Sequence, residues 1–270
     1  MASGILETAF TTFLLLIAVQ WFEFGATAKA TIAAAGALGF MLGPAVVSRV
    51  AELGWTTGQA ASRLALGAAG CFGLLVVVND RWIFIGGIIA ATTLATAVIP
   101  LVTQIYQENY PARRRGKYFS RTAMIRITSA AAFGFLAGWI LTNGEESNQK
   151  LADYPHWLML IFSCGFVWVA FCFSRLPAHP LTQAKGTHPF RSLRFVKEDK
   201  LFRHILICWM LFGIGNLMLF PLRVEYLANA DAYDDYTLSF KPTPANIALI
   251  LVVIPNVVKL VSSPFWGGLF

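Results

Sequence analysis

The sequence predicts an all-α, polytopic membrane protein, a bundle of about eight transmembrane helices. Three observations carry that prediction. Of 270 residues, 57% are hydrophobic and 13% charged, about half the charged share of an ordinary soluble domain. The charges are clustered, which leaves uncharged runs at 30–48, 64–79, 82–107, 127–144, 154–174 and 204–222. Most approach the roughly 20 residues a helix needs to cross a hydrocarbon core about 30 Å thick. Two further segments qualify with one blemish each, 4–24 with Glu7 and 244–266 with Lys259. Finally, the connections between the runs alternate in charge.

In chain order, the first span (4–24) starts without basic residues and is followed by no small-residue cleavage site, so it reads as a helix and not a signal peptide. Gln20 and Glu23 lie toward its outer end, and Glu7 near its cytoplasmic start, hydrated or paired with a basic loop residue. In the second span Gly39 and Gly43 stand four apart, just before Pro44. The third carries Gly67, Gly70 and Gly73, and the fifth Gly134 and Gly138. Small residues at such intervals let helix backbones approach in lipid, where no hydrophobic drive joins them. Static packing and sliding helix surfaces both fit. The fourth span holds Thr92, Thr93, Thr96 and Pro100, and each threonine can bond a carbonyl one turn back. Asn216 lies in the seventh, with Arg223 and Glu225 interfacial at its outer end. The eighth contains Pro255, Asn256, Lys259 and Pro264. A cation within the membrane costs a few kcal/mol unless paired or hydrated, so Lys259 either serves a pathway or ion pair or snorkels to the surface. Asn256 shares its helix face. Pathway candidates are therefore Gln20, Glu23, Thr92, Thr96, Asn216, Asn256 and Lys259. The similar placing of Pro44 and Pro264, near the cytoplasmic ends of spans two and eight, hints at a six-helix repeat.

Orientation follows from the loops. The connections 49–63, 107–126 and 175–203 contain fifteen lysines and arginines, and the others only Lys29, Arg81, Lys150 and Lys241. Short basic loops stay in the cytoplasm, which places the first set and both chain ends there, in a bacterial-type inner membrane. The densest cluster is Asn109-Tyr-Pro-Ala-Arg-Arg-Arg-Gly-Lys-Tyr-Phe-Ser-Arg121. As a tether between two membrane helices, with no aromatic stacking platform, it is not a nucleic-acid site despite the formal +7 charge. A plain anchor on anionic lipid explains its charge but not Gly116. Cys71, Cys164, Cys172 and Cys208 fall inside spans, without metal-ligand spacing, and read as packing residues. The four histidines sit in loops or at span ends, and no nucleophile or metal-protease motif is present, so neither enzyme, metal site nor cofactor is expected.

This layout resembles the major facilitator superfamily of secondary transporters. Tyr110-Pro-Ala-Arg-Arg-Arg-Gly-Lys-Tyr118 resembles the Pro-x-x-x-Arg-Gly-Lys/Arg element that the family places between its fourth and fifth spans. The longest connection, 175–203, follows the sixth span, where the family has its central cytoplasmic loop. Its segment 189–196 can lie on the membrane as an amphipathic stretch. Trp266-Gly-Gly-Leu-Phe270 matches the opening of the Gly-x-Leu-x-Asp-Arg element after the family's eighth span. Ser48 stands where an aspartate is usual. The family normally has twelve spans, which makes this chain look like a complete first half plus two helices of the second.

The resemblance implies a six-helix bundle at 1–174, a central loop at 175–203 and an incomplete second bundle at 204–270. It further implies alternating access to a central site for a small solute, with a proton or sodium ion as coupling ion. Arg49, Glu108, Arg113, Arg114, Arg115, Gly116, Lys117 and Arg121 would form the cytoplasmic gate, the arginines pairing with Glu108, Glu52 or helix C-terminal carbonyls. The alternatives are a non-transporting scaffold or assembly subunit, an inactive transporter fragment, and a channel, for which no filter-like repeat is present.

Overall fold

Helices make up every element of the computed structural model, which describes residues 2–20, 22, 24–78, 80–145, 154–177, 194–228 and 243–269. In order they are α1 (Ala2–Thr8), a π-helical turn (Ala9–Phe13), α2 (Leu14–Gln20), α3 (Ala26–Glu52), α4 (Thr57–Val77), α5 (Arg81–Asn109) and α6 (Ala112–Glu145). There follow α7 (Tyr154–Ser174), α8 (Arg194–Glu198), α9 (Lys200–Ala228), α10 (Pro244–Ala248), a second π-turn (Leu249–Val253) and α11 (Ile254–Leu269). Among the described residues, six helices are long and apolar enough to cross a membrane: Ala26–Glu52, Thr57–Val77, Arg81–Asn109, His156–Ser174, Lys200–Ala228 and Pro244–Ser262.

The other two expected spans take different forms. The fifth is the C-terminal part of α6, a 34-residue helix about 50 Å long. The first is the broken helix α1–π–α2. Leu14, Leu15, Leu16 and Ile17 are all 1% exposed, so α2 is covered on every side, as expected of a helix that is apolar all round. Phe72 of α4, Phe84 and Ile88 of α5, and Phe162 and Phe166 of α7 join it in one core cluster. A second cluster, with Val50, Ala60, Ala61, Leu64, Ala97, Leu101 and Ile105, unites the far ends of α3, α4 and α5.

The connections are shorter than the charge pattern suggests. The stretch 109–121, expected to be a loop, is mostly helix: only Tyr110 and Pro111 separate α5 from α6. Tyr110 is extended (φ −122°, ψ 132°) because a residue before proline avoids the α region. Arginine and lysine are good helix formers, so the chain turns helical directly after the proline. The connection 49–63 likewise shrinks to a tight turn between Glu52 and Thr57. Gly54 supplies its left-handed residue (φ 66°), and Thr56 caps α4 by accepting from the Gln59 N–H. In the long connection, 178–193 lie outside the described residues, so of the amphipathic stretch 189–196 only the part from Arg194 is seen, in α8.

Helix packing follows the small and hydroxyl residues. The Ser62 hydroxyl of α4 donates to the Ala170 carbonyl of α7 (2.8 Å), and Ser163 of α7 donates to Ala69 of α4 (2.9 Å). At Gly4, a Cβ would strike the Arg126 carbonyl, the Ser129 hydroxyl and the Ala130 nitrogen, so α1 lies directly against α6. Glu7 pairs there with Arg126 (3.2 Å), one of the partners its position suggests. Gly134 and Gly138 of α6 meet Val252 and Ala248, at the second π-turn and α10. Pro255 follows that turn; it lacks the N–H that would bond the Leu251 carbonyl, which eases the local change of winding.

Candidate functional site

The helices give the bundle two chemically distinct ends. One, the basic end, carries Arg49, Arg63, Arg121, Arg175 and Arg203; the opposite end carries Lys29, Asp80, Glu225 and Thr243. The candidate residues are spread along the axis between them.

At the basic end the described polar contacts are local. Arg49 pairs with Glu52 one turn on (3.1 Å), and both are exposed. Glu108, near the end of α5, accepts from Thr57 at the start of α4 (3.4 Å) and from Gln104 (3.1 Å). The Arg63 guanidinium lies 4.0 Å over the Trp55 ring. The rings of Tyr106, Tyr110 and Tyr118 form a chain with centroids 5.5 and 4.9 Å apart, and the Tyr106 hydroxyl donates to Thr122 (3.1 Å), tying α5 to α6. Asn109 donates to the Pro177 carbonyl (3.1 Å), which fastens the end of α7 to the same place. Gly116 and Arg121 are exposed, and a Cβ at Gly116 would meet nothing within 4 Å. The side chains of Arg113, Arg114, Arg115 and Lys117 lie outside the described residues. The expected pairing of these arginines with Glu108 or Glu52 therefore has no described geometry.

Midway, Thr92 and Thr96 face α3 across a close approach at Gly39. A Cβ there would meet the Thr96 hydroxyl, the Thr93 Cα (2.9 Å) and the Thr92 carbonyl (3.1 Å). Their hydroxyls donate to Ile88 (2.7 Å) and Thr92 (2.8 Å) of their own helix. The hydroxyls are thus satisfied within α5, and the close approach at Gly39 joins the two helices.

Asn256 donates to Val252 (2.9 Å), while Asn216 and Lys259 are exposed on α9 and α11. Glu23 and the Gln20 side chain lie outside the described residues. The structure thus brings Thr92 and Thr96 together, and Asn216, Asn256 and Lys259 lie on other helices.

The opposite end holds a feature that the one-dimensional reading left dispersed. Lys29, in the first turns of α3, is 8% exposed and pairs with Glu225, near the end of α9. The residues 196 positions apart in the chain meet where α2, α3 and α9 converge. Around them Phe22, Phe24 and Phe84 stack with centroids 4.5–5.9 Å apart, and Ile32, Val224 and Leu227 join the same cluster. The signal was present in the sequence as opposite charges at the same expected end of two spans, without the helix rotations needed to pair them.

The contact of α9 with the helices before residue 178 is concentrated at this opposite end, whereas α10, the second π-turn and α11 pack along α6. Val224 is the one buried residue of α9 among those whose side chains are described, and the half from Lys200 to Phe212 has none. Thr142 of α6 accepts from the Ala245 N–H of α10 (3.0 Å), and Gly138 lies against Ala248. No group of three or more His, Cys, Asp or Glu suited to a metal occurs among the described residues.

Comparison with protein-family models, curated proteins and solved structures finds no significant match to this chain.

Proposed function

We propose that this protein is a membrane secondary transporter of the major facilitator type, moving a small solute by alternating access, with a proton or sodium ion as the coupling ion. In this reading all eight predicted segments cross the membrane, the basic end is cytoplasmic, and both ends of the chain lie on that side. The observation that carries the reading is the one-ended contact of α9 with the first helix group: Val224, near its end, is buried, and the half from Lys200 to Phe212 has no buried residue. Helices that touch at one end and part at the other leave a space between them open to one side, and rocking about the joined end exchanges the exposed side. The apolar spans suit a substrate without high charge, with Lys259 available to an anion.

The test is reconstitution into proteoliposomes and a screen of small solutes for solute-dependent proton or sodium uptake. Uptake that saturates and moves the ion against its gradient supports the transporter. Solute-independent ion flux points to a channel, and absence of both in a folded, correctly oriented protein points to a scaffold. Neutralising Arg115 is expected to change the inward/outward balance more than substrate affinity. Equal effects of neutralising Arg113, Arg114 and Arg115 on insertion, with none on transport, would reduce the cluster to a lipid anchor.

A further inference from the structure

We infer that the Lys29–Glu225 ion pair is a latch that holds the end opposite the arginine cluster closed, and that it must break for that end to open. The inference deepens the transporter reading and rests on it for the purpose of the motion, but not for the latch itself.

Four features of the pair support it. It joins the two helix groups: α3 lies in one, α9 in the other, and the residues are 196 positions apart. It sits at the sheltered end, where Lys29 and Val224 are buried and Glu225 is half-buried, while α9 from Lys200 to Phe212 has no buried residue. Low water access strengthens the attraction and penalises each charge when it is left alone.

The third feature is the placing of the charges on their helices. Lys29 is the fourth residue of α3, close to the positive end of the helix dipole, and Glu225 lies in the last turn of α9, close to the negative end. Each charge is therefore unfavourable on its own helix, and contact with the other relieves both. A pair meant only to stabilise the two helices would have the opposite arrangement. As built, its stabilisation exists only while α3 and α9 touch.

The fourth is that the α3–α9 contact itself can come apart with little loss of buried apolar core. α2 keeps its cover from α4, α5 and α7, and α9 contributes little burial beyond Val224, Leu227 and Ala228. The α3–α9 closure is thus an ion pair over a small apolar seal, beside the packing of α10 and the second π-turn on α6 through Ile247, Ala248 and Val252.

The experiment measures distances at both ends of the full chain in lipid nanodiscs by electron spin–spin coupling, with the native cysteines replaced. One label pair replaces Thr27 and Leu222 at the latch end; the other replaces Gln59 and Leu201 at the basic end. Lys29→Gln is expected to lower the closed-to-open ratio at the latch end about tenfold or more. The basic-end distance should shorten in the same molecules, because rocking couples the ends. Exchanging the charges, Lys29→Glu with Glu225→Lys, should restore the short latch-end distance.

Unchanged distances in Lys29→Gln overturn the latch. So does lengthening at the latch end with no shortening at the basic end, which would be simple loosening. If Lys29→Gln fails to fold, the charge exchange decides: a long latch-end distance there overturns the proposal and a short one supports it. These readouts need no substrate. Reciprocal distance changes without solute uptake would therefore sink the transporter reading and leave the latch standing.

Discussion

Gly39 and Gly43 form one small-residue pair in the sequence, and both are buried, yet alanine should affect them very differently. At Gly39 a Cβ would meet the Thr96 hydroxyl, the Thr93 Cα at 2.9 Å and the Thr92 carbonyl at 3.1 Å. The last two are backbone atoms and cannot turn aside. Ordinary contact needs about 3.5–4.0 Å, so α3 and α5 must separate by roughly half to one ångström and lose dispersion along their crossing. Overpacking of this kind costs about 1–3 kcal/mol. At Gly43 a Cβ meets nothing within 4 Å, and alanine gains up to about 1 kcal/mol of helix preference. The two variants should differ by about 2 kcal/mol, roughly thirtyfold in the unfolding equilibrium. Reversible unfolding in mixed detergent–lipid micelles measures both. Removing the Thr96 hydroxyl in the Gly39→Ala background should rescue only part of the loss, since the backbone contacts remain. Equal stability of the two alanine variants, or full rescue by Thr96→Ala, would refute the assignment of Gly39 as the point of contact.

Two other perturbations use the same assay. Ser62→Ala and Ser163→Ala each remove one hydrogen bond between α4 and α7 and should cost about 0.6 kcal/mol apiece, adding in the double variant because the bonds are about two helical turns apart. Glu7→Gln breaks a partly exposed ion pair to Arg126 and should change stability by less than about 1 kcal/mol; a much larger loss would mean that the pair is sheltered by the membrane in a way its exposure does not convey.

Which segments form long apolar helices was legible in the sequence; rotation about each helix axis was not. Five of the six uncharged runs and the segment 244–266 located the six long apolar helices, because length and hydropathy are properties of a segment alone. Thr92 and Thr96 were readable as self-satisfied hydroxyls for the same reason, their partners being one turn away. Which glycine of a pair meets a neighbour depends on two helices at once, and so does the meeting of Lys29 with Glu225. The arginine cluster misled in a different way. Its charge marks an aqueous boundary, which reads as a loop, but the physical break is the Tyr110–Pro111 dipeptide, and arginine and lysine continue a helix readily. The first predicted span turned out to be the covered centre of its group. Apolar residues on all faces of 13–19 carry that information, since a lipid-facing helix needs no such complete cover by protein.

The two ends also differ in what electrostatics does to the gap between the helix groups. At the latch end, opposite charges face each other. At the basic end, Arg49, Arg63, Arg121, Arg126 and Arg175 outnumber Glu7, Glu52 and Glu108 on one group, and on the other Arg194, Lys197, Lys200 and Arg203 outnumber Glu198 and Asp199. Both groups are thus positive at the end where α9 is uncovered, and their repulsion adds to the pull of the latch in favouring this arrangement. The two terms respond differently to salt. Raising ionic strength from about 0.01 M to about 1 M shortens the Debye length from roughly 30 Å to 3 Å, which removes repulsion across a hydrated gap and leaves a sheltered contact pair largely intact. High salt should therefore bring the Gln59 and Leu201 labels closer while the latch pair stays short in a fraction of molecules, a partly occluded state. If salt lengthens or leaves unchanged the basic-end distance, like-charge repulsion does not hold that end apart, and the open side is set by helix packing alone.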